Sequence, residues 1–119
     1  MKIREITGLP DITTLVPPQT PEQEISGGYA SDLLSCVMAR AGAGNIWVTL
    51  QTHPNVVAVA SLLDLAGVII TECADIAKID AATIEKARTE NVALFATPLT
   101  TFTIVARLAR AGVPGIDEG

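Results

Sequence analysis

"NIWVTLQTHPNVVAVASLLDLAGVIIT", residues 45–71, changes its period twice. Residues 45–50 form an apolar, β-branched run that reads as a buried strand. Thr52 or His53 then supplies a helix cap, Pro54 takes the first helical position and Gly67 stands just past the end. "GVIIT" (67–71) follows as the next strand. A helix linking two buried strands demands a crossover, and a crossover joins parallel strands. The helix itself carries Val56, Val57, Val59, Leu62, Leu63 and Leu65, apolar on nearly every face. Such a helix is expected to be buried on more than one side, by the sheet and by a second chain, which predicts a homodimer.

The same alternation continues toward the C-terminus. Asp80 caps "AATIEKARTEN", a helix that turns Glu85, Lys86, Arg88 and Glu90 to water. "VALFAT" (92–97) is a strand, and Thr100 or Thr101 opens the helix "FTIVARLARAG", stopped by Gly112 and Pro114. Toward the N-terminus, Leu33, Leu34, Val37, Met38 and Ala41 follow a helical stripe that stops at Gly42, with Ser31 or Asp32 as its cap. A short strand at Glu24–Ser26 leads into Gly27 and Gly28, one of which is expected to take positive φ in a tight turn. A strand at Ile12–Val16 ends at Pro17 and Pro18, and Ile3, Ile6 and Leu9 mark a short first helix that stops at Pro10.

These elements predict one α/β domain over residues 1–119, a three-layer sandwich with a mostly parallel sheet covered by helices on both faces. A composition 49% hydrophobic but only 3% aromatic fits, because Val, Ile, Leu and Ala fill the core of such sheets. The loops after the strands, Gly27–Asp32, Gln51–Asn55, Glu72–Asp75 and Thr97–Thr101, then emerge at one edge, where open parallel sheets bind ligands. A net charge of −5 with no cluster of Lys or Arg excludes nucleic acid as a partner. The longest apolar stretch, Val56 to Ile70, is broken by Ser61, Asp64 and Gly67, so neither a membrane span nor a secretion signal is expected and the protein reads as cytoplasmic. Cys36 and Cys73 lie far apart without metal-ligand spacing and read as free thiols.

Residues 27–72, "GGYASDLLS" and "QTHPNVVAVA" above all, together with "ALFATPLTTFTIVARL" (93–108), resemble the DRTGG domain family. The likeness is greatest to its short, free-standing bacterial members, some encoded near iron-only hydrogenases. The family is similar to the N-terminal domain of HPr kinase/phosphorylase and also occurs beside CBS domains in regulatory pyrophosphatases and in phosphotransacetylases. The resemblance implies a regulatory or assembly module rather than a catalyst, with a redox enzyme or a regulatory protein as a possible partner class. Two features depart from the family: Cys73 stands where relatives commonly have glycine, and the motif that names the family is not present literally. Kinase chemistry is not implied, since that needs a GxxxxGK[ST] loop. Lys2, Lys78 and Lys86 are the only lysines, and none follows a glycine-rich loop.

The candidate ligand residues are Gly27, Gly28, Ser31, Asp32, Thr52, His53, Glu72, Thr97, Thr100 and Thr101. Glycines ahead of a helix start can present amides to an anion, although the spacing is not GxGxxG and Asp32 brings a negative charge. Structurally the same residues make a turn and a cap, and that is the first reading. Threonine hydroxyls can hold a phosphate or carboxylate or simply cap the last helix. Glu72 and Asp75 with Asp32 could meet a hard cation, but solvated loop acids are the commoner case and no metal is expected. His53, the sole histidine, lacks a nucleophile in any recognisable motif, so no residue is assigned to catalysis and no cofactor is implied. Trp47 and Tyr29 mark either a partner surface or ordinary packing beneath a helix. The function these readings favour is a non-catalytic regulatory or assembly domain, homodimeric, taking a small metabolite or nucleotide at the C-terminal edge of its sheet. The alternatives are an interaction adaptor without a ligand and a small enzyme using His53 with Asp32 or Glu72.

Overall fold

The computed structural model describes residues 1–118. In chain order the elements are helix α1 (Arg4–Thr7), strands β1 (Thr13–Val16) and β2 (Gly27–Ala30), helix α2 (Leu34–Arg40), strand β3 (Asn45–Thr49), helix α3 (Asn55–Leu62), strand β4 (Gly67–Ile70), a 3₁₀ turn (Ile76–Lys78), helix α4 (Ala81–Glu90), strand β5 (Leu94–Ala96) and helix α5 (Thr101–Arg110). The five strands form one sheet in the order β1-β5-β4-β3-β2. All neighbours are parallel except β1, which runs antiparallel to β5. The expected α/β sandwich is therefore present.

The strand order explains the layers. From β2 to β5 each crossover moves one place in the same direction, and right-handed crossovers of that kind put their helices on one face. Accordingly Val37 of α2, Val56 and Val57 of α3 and Ala87 of α4 share one core cluster with Trp47, Val68, Ile70, Leu94 and Ala96 of the sheet. The alternate strand residues Ile46, Val48, Ile69 and Phe95 point the other way, onto Ile3 and Ile6 of the N-terminal segment and Ile104 and Leu108 of α5. Trp47 and Phe95 are fully buried, each removing apolar surface worth about 1.5–3 kcal/mol. The Trp47 indole nitrogen donates to the Ser31 carbonyl at 2.8 Å, so this residue packs beneath a helix and does not mark a partner surface.

Three sequence expectations change. Gly27 and Gly28 are not a turn: they are the first half of β2, paired with Asn45 and Ile46, and neither has positive φ. A side chain there would be crowded, because the chain near the C-terminus comes close. The Gly28 amide donates to the Pro114 carbonyl at 2.8 Å, and a Cβ on Gly28 would stand 3.3 Å from Val113 Cγ1. The strand expected at Glu24–Ser26 is instead an extended approach, tied by Ile25 N–H to the Met1 carbonyl and Ser26 N–H to the Gly44 carbonyl. Gly67 opens β4, as the strand reading of residues 67–71 expected, and a Cβ there would lie 3.1 Å from the Ala93 carbonyl oxygen, but α3 already ends at Leu62 rather than just before Gly67. The helix is ended by Asp64, in the left-handed region at φ 57°.

The apolarity of α3 is also accounted for within one chain. Val56, Val57, Val59 and Ala60 are buried by the sheet and by flanking α2 and α4, and only Leu62 stands far out, 69% exposed. A second chain is not required to cover this helix.

Candidate functional site

The ends of the parallel strands bring the loops after β2, β3, β4 and β5 to one edge, as the sequence requires. Gly27 and Gly28 are excluded from it, since they begin β2 at the opposite end of the sheet. The loop after β2 is Ser31–Leu33. Ser31 Oγ accepts from the Leu33 amide at 3.2 Å, while α2 starts at Leu34 with no side-chain cap. Asp32 does not cap that helix either. Its Oδ1 accepts from the Thr49 hydroxyl at 2.9 Å and the Leu50 amide at 2.7 Å, and Gln51 Nε2 donates back to the Asp32 carbonyl at 2.7 Å. Asp32 thus clamps the loop after β3 to the loop after β2. His53 Nδ1 accepts from the Asn55 amide at 3.1 Å just ahead of α3, whose N-cap position is Pro54 and not Thr52 or His53. The Thr52 carbonyl is held by the Thr83 hydroxyl of α4 at 2.6 Å.

The loops after β4 and β5 leave toward opposite faces, to α4 and to α5. Such a divergence is where a crevice opens in many α/β proteins. Here the chain closes it. The Glu72 amide donates to the Leu99 carbonyl and the Cys73 amide to the Thr97 carbonyl, both at 2.9 Å. Thr71 Oγ1 lies 2.6 Å from Thr101 Oγ1, and the Thr101 hydroxyl donates to Glu72 Oε2 at 3.3 Å. The same carboxylate oxygen accepts from the Thr101 amide at 3.4 Å, so an internal carboxylate occupies the positive end of α5. Glu72 reaches that position from a left-handed backbone at φ 56°. Thr100 Oγ1 caps α5 by accepting from the Thr103 amide at 3.2 Å. Thr97, buried, donates to the Asp11 carbonyl at 2.7 Å and accepts from the Leu99 amide at 3.2 Å. Thr97, Thr100 and Thr101 are therefore joined to the protein's own groups.

What stays open is a cleft of about 290 Å³ between the loops after β3 and β4. Leu50, Ile70 and Ala74 give it apolar wall; Thr52, Thr71 and Cys73 give it weakly polar wall; Glu72, Asp75 and Lys78 are its charged residues. Of the ten candidates read from sequence, only Thr52 and Glu72 line it. Leu50, Thr71 and Lys78 were missed, and the sequence signal for them was their place immediately after strands or beside the one cap, Asp75, of the 3₁₀ turn. Asp75 Oδ1 accepts from the Ala77 amide at 3.0 Å. With Asp32 and Asp75 bound to backbone and Glu72 turned to Thr101, no group of three His, Cys, Asp or Glu converges to hold a metal among the described residues. Nor is any helix among them long and apolar enough to cross a membrane.

A second concavity, about 270 Å³, lies away from this edge, between α5, strand β2 and the segment Val113–Glu118. Tyr29 lines it, half-buried.

No family model matches the chain, and no curated protein matches it. Among solved structures it is similar to the crystal structure of the CBS and DRTGG domains of the regulatory region of Clostridium perfringens pyrophosphatase, complexed with the activator diadenosine tetraphosphate. The TM-score is 0.73 at 16% identity, over 95% of this chain and 47% of that one, so the chain spans about half its length. The chain therefore has a fold found within that regulatory region, which supports the DRTGG-type resemblance carried by residues 27–72 and 93–108.

Proposed function

We propose that this protein is a non-catalytic regulatory domain that self-associates and takes a small molecule in the cleft between Leu50 and Asp75. The observation carrying the ligand reading is the cleft itself, open where the rest of the edge is stitched shut, with apolar side chains and hydroxyls both in its lining. The regulatory reading is supported by the likeness in fold to a regulatory region that binds a nucleotide activator. The non-catalytic reading is supported by the state of the candidate acids and base, each bonded to backbone or hydroxyl groups of its own loops.

Charge narrows the ligand. The cleft holds two carboxylates, Glu72 and Asp75, against one ammonium, Lys78. A polyphosphate would meet repulsion there, so the ligand is a neutral or zwitterionic metabolite such as a nucleoside rather than its triphosphate. Thermal-shift and calorimetric titration with nucleosides, amino acids and nucleotides tests this. At a hundredfold excess over Kd a bound ligand adds about 2.7 kcal/mol, a rise of several degrees in Tm. Ala74→Trp, which fills the cleft from its exposed rim, abolishes that rise. Stabilisation by triphosphates but not nucleosides overturns the charge argument, and no response to any compound favours the ligand-free adaptor.

A further inference from the structure

The two faces of the sheet are covered unequally. One carries α2, α3 and α4; the other carries only the four-residue α1 and the single long helix α5. Beside α5 the second face has no neighbouring helix, and the concavity floored by Val48 and Leu108 is the result.

Helix α5 is built for a neighbour. At about 100° per residue its apolar arc runs from Ile104 and Leu108 through Val105, Ala109 and Phe102 to Ala106, about 200° in all, roughly twice the stripe that a helix on one sheet needs. Ile104 and Leu108 are buried on the sheet, but Phe102 is 84% and Val105 40% exposed. The remaining arc holds Thr103, Arg107 and Arg110, so the only charges on α5 are positive. Across the groove the wall ends in Glu118, next to Asp117.

We infer that this face, α5 with its groove against β2, is where two copies of the chain meet. The inference rests on the self-association proposed above and assigns it to a surface other than α3. The groove walls are largely Val, Leu, Ala and Pro, an apolar surface that a second copy can cover. A second copy also fits because the patch is complementary to itself. A projecting ring, Phe102, lies on the same helix as a groove large enough to receive a ring, and Arg110 on the outer flank accompanies an acidic wall, Arg107 being held by the Pro10 carbonyl. A patch carrying knob, hole and both signs of charge can satisfy a two-fold interface, in which each surface meets its own copy. It also lets chains of net charge −5 approach without like charges meeting at the contact.

The test is sedimentation velocity on the wild type, Phe102→Asp and Leu62→Asp, with melting curves for each. Phe102 is in the first turn of α5, where an aspartate suits the helix dipole, so Phe102→Asp keeps the fold and its Tm. Its dimer dissociation constant rises at least ~30-fold, as loss of a central aromatic anchor implies. Leu62→Asp on α3 remains dimeric. A monomeric wild type at about 100 μM, a weak limit for a specific interface, overturns self-association altogether. A dimeric wild type with a folded, equally dimeric Phe102→Asp overturns this surface alone, and a monomeric Leu62→Asp returns the interface to α3.

Discussion

Asp32 shows how one side chain can hold an edge together. Its carboxylate collects the Thr49 hydroxyl and the Leu50 amide from a neighbouring loop. Thr49 is 1% exposed, so its hydroxyl cannot turn to water when the acceptor is removed. Asp32→Ala is expected to lower stability by about 1–2 kcal/mol, read as a shifted urea midpoint at unchanged m, and Asp32→Asn by less because an amide oxygen still accepts. Glu22 gives the clearest titration. The hydrogen bond from Lys2, opposed by desolvation and helped by the charges of Arg4 and Lys2, holds its carboxyl below the usual glutamate value. A lowered folded value means that its contribution is present above the unfolded glutamate value, about 4.3, and fades as pH falls through the folded one. Because the group is exposed, the effect is small and salt-sensitive. The Glu22 carboxyl signal in an NMR titration should have a lower midpoint than other exposed glutamates and move toward them in about 0.5 M salt.

Apart from β2, whose glycines read as a turn, helix and strand identities were readable because the hydrophobic period changes cleanly between them. Helix ends were less so, and the reasons are specific. Asp80 and Thr100 act as the caps that local sequence announces. Asp64 ends α3 because the chain must turn before β4, and nothing nearer than the fold marks it as left-handed. Gly27 and Gly28 carry a local signal for a turn, yet what crowds a side chain there is the approach of Asn45 and Pro114 to the first and of Val113 to the second, all distant in sequence. Two outcomes follow at this scale. Asp64→Gly relieves a left-handed side chain and should raise stability by about 0.5–1 kcal/mol, whereas Thr100→Ala removes a cap and should lower it by about 1 kcal/mol. Both are read by chemical denaturation. The sites belong to different elements, so the double variant should lie near the sum. A cooperative departure would mean that the end of α3 and the start of α5 are coupled.

For the whole molecule, the layered fold could be inferred from alternation, but not the strand order, and the order decides the site. Because β2 to β5 advance in one direction, α5 alone must return across the second face, and the loops after β4 and β5 part there and are sewn together. Thr97, Thr100 and Thr101 are residues of that edge, as read, and each is engaged there with the protein's own groups. The same order bears on how the chain is made. Strand β1 is among the earliest segments, yet its only partner in the sheet is β5, with Thr13 opposite Ala96. During synthesis, at about 5–20 residues per second, β1 must wait several seconds for that partner. Pro17 and Pro18 close its far end, a feature that discourages pairing with other chains in the interval. A nascent chain arrested before Leu94 should hold β2, β3 and β4 near native while β1 remains open to protease.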